Sequence, residues 1–344
     1  MFTRPAIGTV AAEARVSVKT VSRVINNSNR VTAATREHVM GVIRRLGYSP
    51  SPNARRLAGH RSYLVGLPFD NPHALYVTEV QSGSLASFRH ANYQVVMHAC
   101  DSQAPSLADE IRLFVRSVRV DGVILTPPLS DSAAVAEALD EDDIPFVRIA
   151  PATRSDPSRS VFANDRECSA AMIRQLAAMG HRRIGFLLGH ASHAGTTQRY
   201  MGYCDGIRQS GLQVDPALTL EGEGSFDAAI VRTRQWLQMP PALRPTAIFA
   251  STDQMAAGVL RAAHELGVSI PRQVSVVGFG DDPLALQVWP KLTTIRQPLH
   301  DLARQAAALL LSQLQSQPAP AQPLQRVEPS LILRQSTAAA PGLA

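Results

Sequence analysis

Ala11-Ala12-Glu13-Ala14-Arg15-Val16-Ser17-Val18-Lys19-Thr20-Val21-Ser22-Arg23-Val24-Ile25-Asn26 is the stretch on which the fold of the N-terminal part turns. Two short apolar-periodic segments meet at Ala14-Arg15-Val16. The second opens with Ser17, whose hydroxyl can accept a backbone N–H of the next turn and so start a helix. On that helix Val21, Val24 and Ile25 fall at i, i+3 and i+4, one buried stripe. Val18, Lys19, Ser22 and Arg23 take the opposite face. A third segment starts with Thr32 as N-cap and carries Val39, Val42, Ile43 and Leu46 at helical spacing. It ends on Gly47, where a helix wants a left-handed residue. Two helices across a tight turn with a supporting third is the helix-turn-helix plan, whose second helix enters the DNA major groove.

Working outward, Val16-Ser17, the run from Thr20 to Asn26, Arg30-Val31, Thr35-Arg36, Leu46-Gly47-Tyr48, Pro50, Ala54-Arg55 and Leu57 keep an order and spacing that resemble the lactose/galactose-repressor (LacI/GalR) family. The resemblance covers the whole DNA-binding segment. It implies that Val18, Lys19 and Arg23 read base edges, and that Thr20, Ser22, Asn26 and Tyr48 position the DNA backbone, with Ser17 beside them. The chain departs from the family at Ala6, where a capping Thr is usual, at Thr9, where an acid is usual, and at Arg15, where Gly is frequent. Loss of the cap should cost about 1 kcal/mol.

Charge supports the same reading. Residues 1–62 hold 11 Lys and Arg against Glu13 and Glu37, a net +9, while the rest of the 344-residue chain carries −3 of the overall +6. A basic head on a near-neutral body is the footprint of a polyanion-binding module joined to something else. With 45% hydrophobic residues the chain can bury more than one core. No apolar run is long enough to span a bilayer, and Met1-Phe2-Thr3-Arg4-Pro5 lacks a signal-peptide core. Cys100, Cys168 and Cys204 are scattered and odd in number. A cytoplasmic protein with no membrane partner, no metal and no cofactor is therefore expected.

The head is expected over 1–49 and a hinge with linker over 50–62. Ser51 can cap a short helix there, and Pro52 suits its first position. The resemblance implies that this helix folds on the operator, that Asn53 and Ala54 contact the DNA, and that Leu57 wedges between base steps. From residue 63 the pattern becomes β-branched runs at 63–67, 94–99, 122–125 and 145–149, alternating with amphipathic segments at 76–90, 106–117 and 132–140. A second set follows, with strands at 183–188, 218–221, 246–250 and 274–278 and helices near 166–179, 200–209, 226–238 and 254–266. Then come a helix at 299–313, a Pro/Gln/Ala-rich loop and a strand at 331–334. Such alternation means parallel sheets covered by helices, here in two α/β lobes.

The family's body resembles a periplasmic sugar-binding protein, and Asp121-Gly122-Val123-Ile124, Gly180-His181-Arg182-Arg183-Ile184, Ser251-Thr252-Asp253 and Leu292-Thr293-Thr294 sit where that body has them. The body is expected over 63–335, lobe one as 63–160 and 293–323, lobe two as 161–292 and 324–335. The tail 336–344 has no leucine heptads, so a dimer is expected rather than a tetramer.

Enzyme motifs are missing: there is no phosphate loop and no Gly-x-Gly-x-x-Gly, and His264-Glu265 lacks the second His of a zinc protease. His190-x-x-His193 reads as a solvent-side loop after a strand, and Asp140-Glu141-Asp142-Asp143 as a solvated helix end. The ligand argument is better, since open α/β sheets bind ligands beyond the carboxyl ends of their strands. Asp70, Thr126, Thr252-Asp253 and Asp281 lie there. The resemblance adds Arg199 reaching sugar hydroxyls and Phe226 stacking on a sugar ring. Gly280 stands where the family commonly has Asp, leaving Asp281 or Asp282 to do its work. Arg148 is an uncommon charge in an apolar run. The expectation is a non-enzymatic transcriptional repressor: a homodimer on a near-palindromic operator, answering a sugar or sugar-derived effector. The alternatives are a regulator of a non-sugar metabolite and a ligand-binding protein with no role in gene control.

Overall fold

A computed structural model describes residues 5–25, 30–48, 61–70, 74–152, 156–190, 193–315 and 328–342. Asn26, Asn53, Ala54 and Leu57, and with them the hinge helix, lie outside the described residues. The chain forms two compact units, Met1–Tyr63 and Leu64–Ala344.

The first unit holds helices α1 (Ile7–Glu13), α2 (Val18–Ile25) and α3 (Ala33–Leu46). Val10, Val21, Val24, Val39 and Val42 close its core, with Tyr48 packed among them. Ala6 makes no side-chain cap bond, as its methyl requires. Arg15 takes the left-handed conformation, φ 51°. There the Arg15 N–H meets the Ala12 carbonyl at 3.2 Å and the Val16 N–H the Ala11 carbonyl at 3.0 Å, the paired bonds that end a helix on a left-handed residue. Ser17 accepts the Thr20 N–H at 3.1 Å, Thr32 caps α3 through the Thr35 N–H, and Gly47 ends it at φ 60°. The Arg36 guanidinium donates to the Val24 carbonyl at 3.3 Å, tying α3 to the end of α2.

The second unit contains two sheets. The first comprises β1 (Leu64–Phe69), β2 (Gln94–Ala99), β3 (Gly122–Leu125), β4 (Phe146–Ile149) and β5 (Ser160–Val161), in the order β2-β1-β3-β4-β5, and every pairing is parallel. It is flanked by α4 (Ala74–Phe88), α5 (Leu107–Val118) and α6 (Ala133–Glu141). The second sheet has β6 (Ile184–Leu188), β7 (Thr219–Glu221), β8 (Ala247–Ala250), β9 (Ser275–Gly280), β10 (Thr293–Arg296) and β11 (Ser330–Ile332), in the order β11-β10-β9-β8-β6-β7. Among the described strands of this sheet, only β11 runs antiparallel to its neighbour. Helices α7 (Asp165–Ala178), α8 (Ala194–Gln209), α9 (Phe226–Leu237), α10 (Asp253–Glu265) and α11 (Leu284–Gln287) belong to this lobe, and α12 (Leu299–Leu314) packs on α4 and β4 of the other. The continuous apolar runs of the central strands follow from burial on both faces. Trp236, Leu187 and Ile248 lie in one core of the second sheet, Phe186, Tyr203 and Phe249 in the other.

Three readings of the sequence change here. Residues 293–296, expected in lobe one, belong to the second sheet: Thr293 and Thr294 pair with Val277 and Gly278, so the chain leaves that sheet only after Arg296. Helix α8 begins at Ala194, ahead of the expected 200, which puts Arg199 within it. The segment after 335 is no loose tail. Ser336 donates to the Val276 carbonyl at 2.6 Å, His181 Nε2 bonds the Ala338 carbonyl at 3.0 Å, and the Ala340 N–H reaches the Met179 carbonyl at 2.9 Å. Helix packing is close where glycine permits it: a Cβ on Gly83 would stand 2.2 Å from the His300 carbonyl oxygen, and one on Gly202 2.1 Å from that of Arg166. No described helix is long and apolar enough to cross a membrane.

Candidate functional site

The head presents one polar face. Val21 and Val24 point inward on α2, while Val18 is 48% exposed. Ser17 and Lys19 are exposed, and Thr20, Ser22 and Arg23 are half-buried. An exposed apolar residue in the first turn of such a helix suits a thymine methyl, and Arg23 offers the fork that reads guanine. Tyr48 differs from the expectation: its ring is 8% exposed inside the head core, and burial raises its hydroxyl pKa. It supports the recognition helix through packing.

In the body a cavity of about 390 Å³ opens where the carboxyl ends of strands from both sheets converge. From the first lobe come Asp70, Tyr76, Ser102, Ile149 and Leu302, and from the second Asp165, Arg199, Thr252, Phe279 and Asp282, with Gln297 on the connection between them. At its centre the Arg199 Nε donates to Asp165 Oδ2 at 3.0 Å and its Nη1 to the Ser251 carbonyl at 2.7 Å. The guanidinium lies 3.7 Å over the Phe279 ring. Gln297 Nε2 donates to both oxygens of Asp165 at 3.3 and 3.4 Å. Both charged groups are largely withdrawn from solvent, with side chains 13% and 7% exposed, and each is the other's charged partner there. Burial raises the Tyr76 hydroxyl pKa far above the usual value, Arg199 opposing and Asp165 adding to the shift.

Of the expected effector residues, Asp70, Arg199 and Thr252 line this cavity, and Thr126, Arg148, Phe226, Asp253 and Asp281 do not. Asp70 accepts the Ser102 N–H at 2.8 Å, and Thr252 caps α10 through the Met255 N–H at 3.2 Å. Thr126 is 1% exposed and buried in the first lobe. Arg148 lies on β4, where its charge acts on Asp131. The Phe226 backbone packs against Gly258 of α10, a helix-helix contact. Asp253 is wholly buried and accepts the Thr294 hydroxyl at 2.5 Å and the Asp282 N–H at 2.8 Å. Asp281, at φ 59°, turns to Arg296 at 2.7 Å and Arg334 at 2.6 Å, so it fastens β9 to its neighbours. Its neighbour Asp282 faces the cavity instead. Exposed His190 and half-buried His193 lie between β6 and α8, on the solvent-side loop that was expected, and they also line the cavity, ring centroids 6.0 Å apart. Among the described residues no three potential metal ligands come together.

Sequence reasoning missed Asp165, Gln297, Tyr76 and Phe279. Asp165 heads a helix, where an acid reads as a favourable end charge, so nothing local set it apart.

This pairing of a helix-turn-helix head with a two-lobed ligand-binding body defines the class. Residues 6–51 match the model for bacterial regulatory proteins of the lacI family, and residues 173–337 that for a periplasmic binding protein-like domain. Catabolite control protein A of Priestia megaterium is 30% identical over 307 residues, covering 88% of this chain and 90% of its own. The HTH-type transcriptional repressor CytR of Escherichia coli (strain K12) is 29% identical over 310 residues, covering 90% and 89%. The lac repressor dimer bound to operator and the anti-inducer ONPF superimposes with a TM-score of 0.81 at 27% identity over 98% of this chain and all of its own. A complex of the transcriptional regulator CelR with cellobiose gives 0.72 at 27% identity over 97% of this chain and all of its own. The chain belongs to the LacI family: it is a DNA-binding transcription regulator with a ligand-binding body.

Proposed function

We propose that this regulator is a cytoplasmic repressor that binds a near-palindromic operator as a homodimer, and that a small carbohydrate effector in the body cavity changes its operator affinity. The observation that carries the reading is the buried Arg199–Asp165–Gln297 cluster at the convergence of strand ends. A guanidinium offers five donors, and Arg199 spends two on Asp165 and Ser251, while a carboxylate only accepts. Together they suit hydroxyls, which both donate and accept. The cellobiose complex and the operator-bound dimer among the similar structures support the sugar and the dimer.

In the head, Val18, Lys19 and Arg23 read base edges, and Ser17, Thr20 and Ser22 hold phosphates; Asn26 and a hinge with Asn53, Ala54 and Leu57 complete the contact, while Tyr48 packs in the core of the head. A dimer with two-fold symmetry requires two related half-sites. The effector acts by binding two states of the body unequally. Calorimetric titration with a carbohydrate panel tests this. Arg199→Ala removes a charged hydrogen-bond donor, typically worth about 1.5–3 kcal/mol, and should weaken the binding sugar ten- to hundredfold. Full affinity in that variant would mean that the cavity is not the effector site.

A further inference from the structure

The walls of the body cavity are acidic. Asp70, Asp165, Glu223 and Asp282 line it, and among the described residues Arg199 is the only Lys or Arg that does. Arg199 is already engaged by Asp165, the Ser251 carbonyl and the Phe279 ring. A second cavity of about 260 Å³ shares Gly189, His190, Thr196 and Glu223 with the first, adds Glu221, and again has no Lys or Arg among its described lining residues.

Besides His190 and His193, helix N-termini are the remaining source of positive potential among the described residues, and two of them open here. The first turn of α10 contributes Gln254 to the wall, but it carries the protein's own carboxylate, Asp253. The first turn of α8 contributes Gly195 and Thr196, and a Cβ placed on Gly195 would lie 3.7 Å from Asp165 Oδ2. Both ends are therefore already answered by carboxylates of the chain. An incoming phosphate or carboxylate would shed water and meet four carboxylates, with Arg199 already paired to Asp165 and His190 and His193 the only other basic groups among the described lining residues.

We infer that the effector is a polyhydroxylated compound without any anionic group: neutral or amine-bearing, and neither phosphorylated nor an acid. This rests on the cavity being the effector site. Neutral hydroxyls can donate to Asp70, Glu223 and Asp282, and an ammonium gains from the surplus of negative charge.

The test is calorimetry on the full-length chain with matched sets of probes, each a neutral sugar with its amino and phosphorylated counterparts. The first set is glucose, glucosamine and glucose 6-phosphate; further sets cover hexoses, pentoses and disaccharides including cellobiose. Binding is expected from neutral or amine-bearing members only, with the phosphorylated partner at least tenfold weaker. The double variant Glu223→Gln with Asp282→Asn should bind the amine-bearing probe several-fold more weakly relative to its neutral partner, and should narrow the gap to the phosphorylated one. A phosphorylated sugar that binds the wild type as well as its neutral partner, and loses affinity in Arg199→Ala, would overturn the inference and leave the cavity as effector site. An unchanged order of probes in the double variant would also overturn it. Binding that Arg199→Ala leaves intact, or no binding by any member, would overturn both readings.

Discussion

Asp281 and Asp282 are neighbours on one strand end, and their carboxylates serve different purposes. Gly280 at φ 136° and Asp281 at φ 59° turn the chain so that Asp281 meets Arg296 and Arg334 while Asp282 faces the cavity. The sequence told which positions follow a strand, but not which way each side chain points, and that is why Thr126, Asp253 and Asp281 fell outside the cavity. Asp253 is the second case. Burial, the largest influence, lifts its pKa from 3.8 to about 6, against the pull of hydrogen bonds from Thr294 and the Asp282 backbone. The folded value lies above the unfolded one, so the folded state binds the proton more tightly. Its contribution to stability is complete below about pH 4 and is lost as pH rises through about 6. Asp253→Asn, which resembles the protonated acid, should flatten that part of the profile; an unchanged slope in urea melts between those values would assign it to another group. At Arg15 the left-handed backbone is strained for any residue with a Cβ. Arg15→Gly should stabilise the head by about 1 kcal/mol, read as a higher midpoint of head unfolding. A lower midpoint would mean that the arginine side chain makes up for its backbone.

Elements were more legible than side-chain directions. The valine stripe of α2, the serine and threonine caps and the glycine stop of α3 are local signals with local causes, and the helices follow them to within a residue or two. Strands β2 and β3 match their apolar runs end to end. What escaped was short or set by distant partners. β5 has two residues, too few for any periodicity. Thr293–Arg296 reads as a connection until its pairing with β9 makes it a strand. The start of α8 precedes its apolar stretch, and so hid the setting of Arg199. For α2 itself the prediction concerns discrimination. Arg23→Ala should reduce operator affinity towards the level of random DNA, with weak salt-dependent binding retained. Parallel gel-shift titrations on both DNAs check this, and equal losses on the two would make Arg23 a phosphate contact only.

On the scale of the whole molecule, the proposed repressor needs two heads and one switch. Trp289 is 85% exposed, Leu286 55% and Leu333 56%. The Gln335 and Ser336 N–H groups both bond the Lys291 carbonyl, which draws the chain after β11 towards the turn that carries Trp289. A large exposed aromatic with apolar neighbours suits burial by a second copy. Trp289→Arg in the full-length chain should shift sedimentation at micromolar concentration from dimer to monomer, and a wild-type monomer would rule out the proposed dimer. The switch is the central claim, and operator affinity measured against increasing concentration of the sugar that binds best tests it most directly, in wild type and in Arg199→Ala. The sugar should shift wild-type operator affinity at least severalfold. Arg199→Ala should bind operator equally well without sugar and ignore the sugar at the same concentrations, because Arg199 and the operator-reading helix lie in different compact units. A variant that responds to the sugar as the wild type does would contradict this switch.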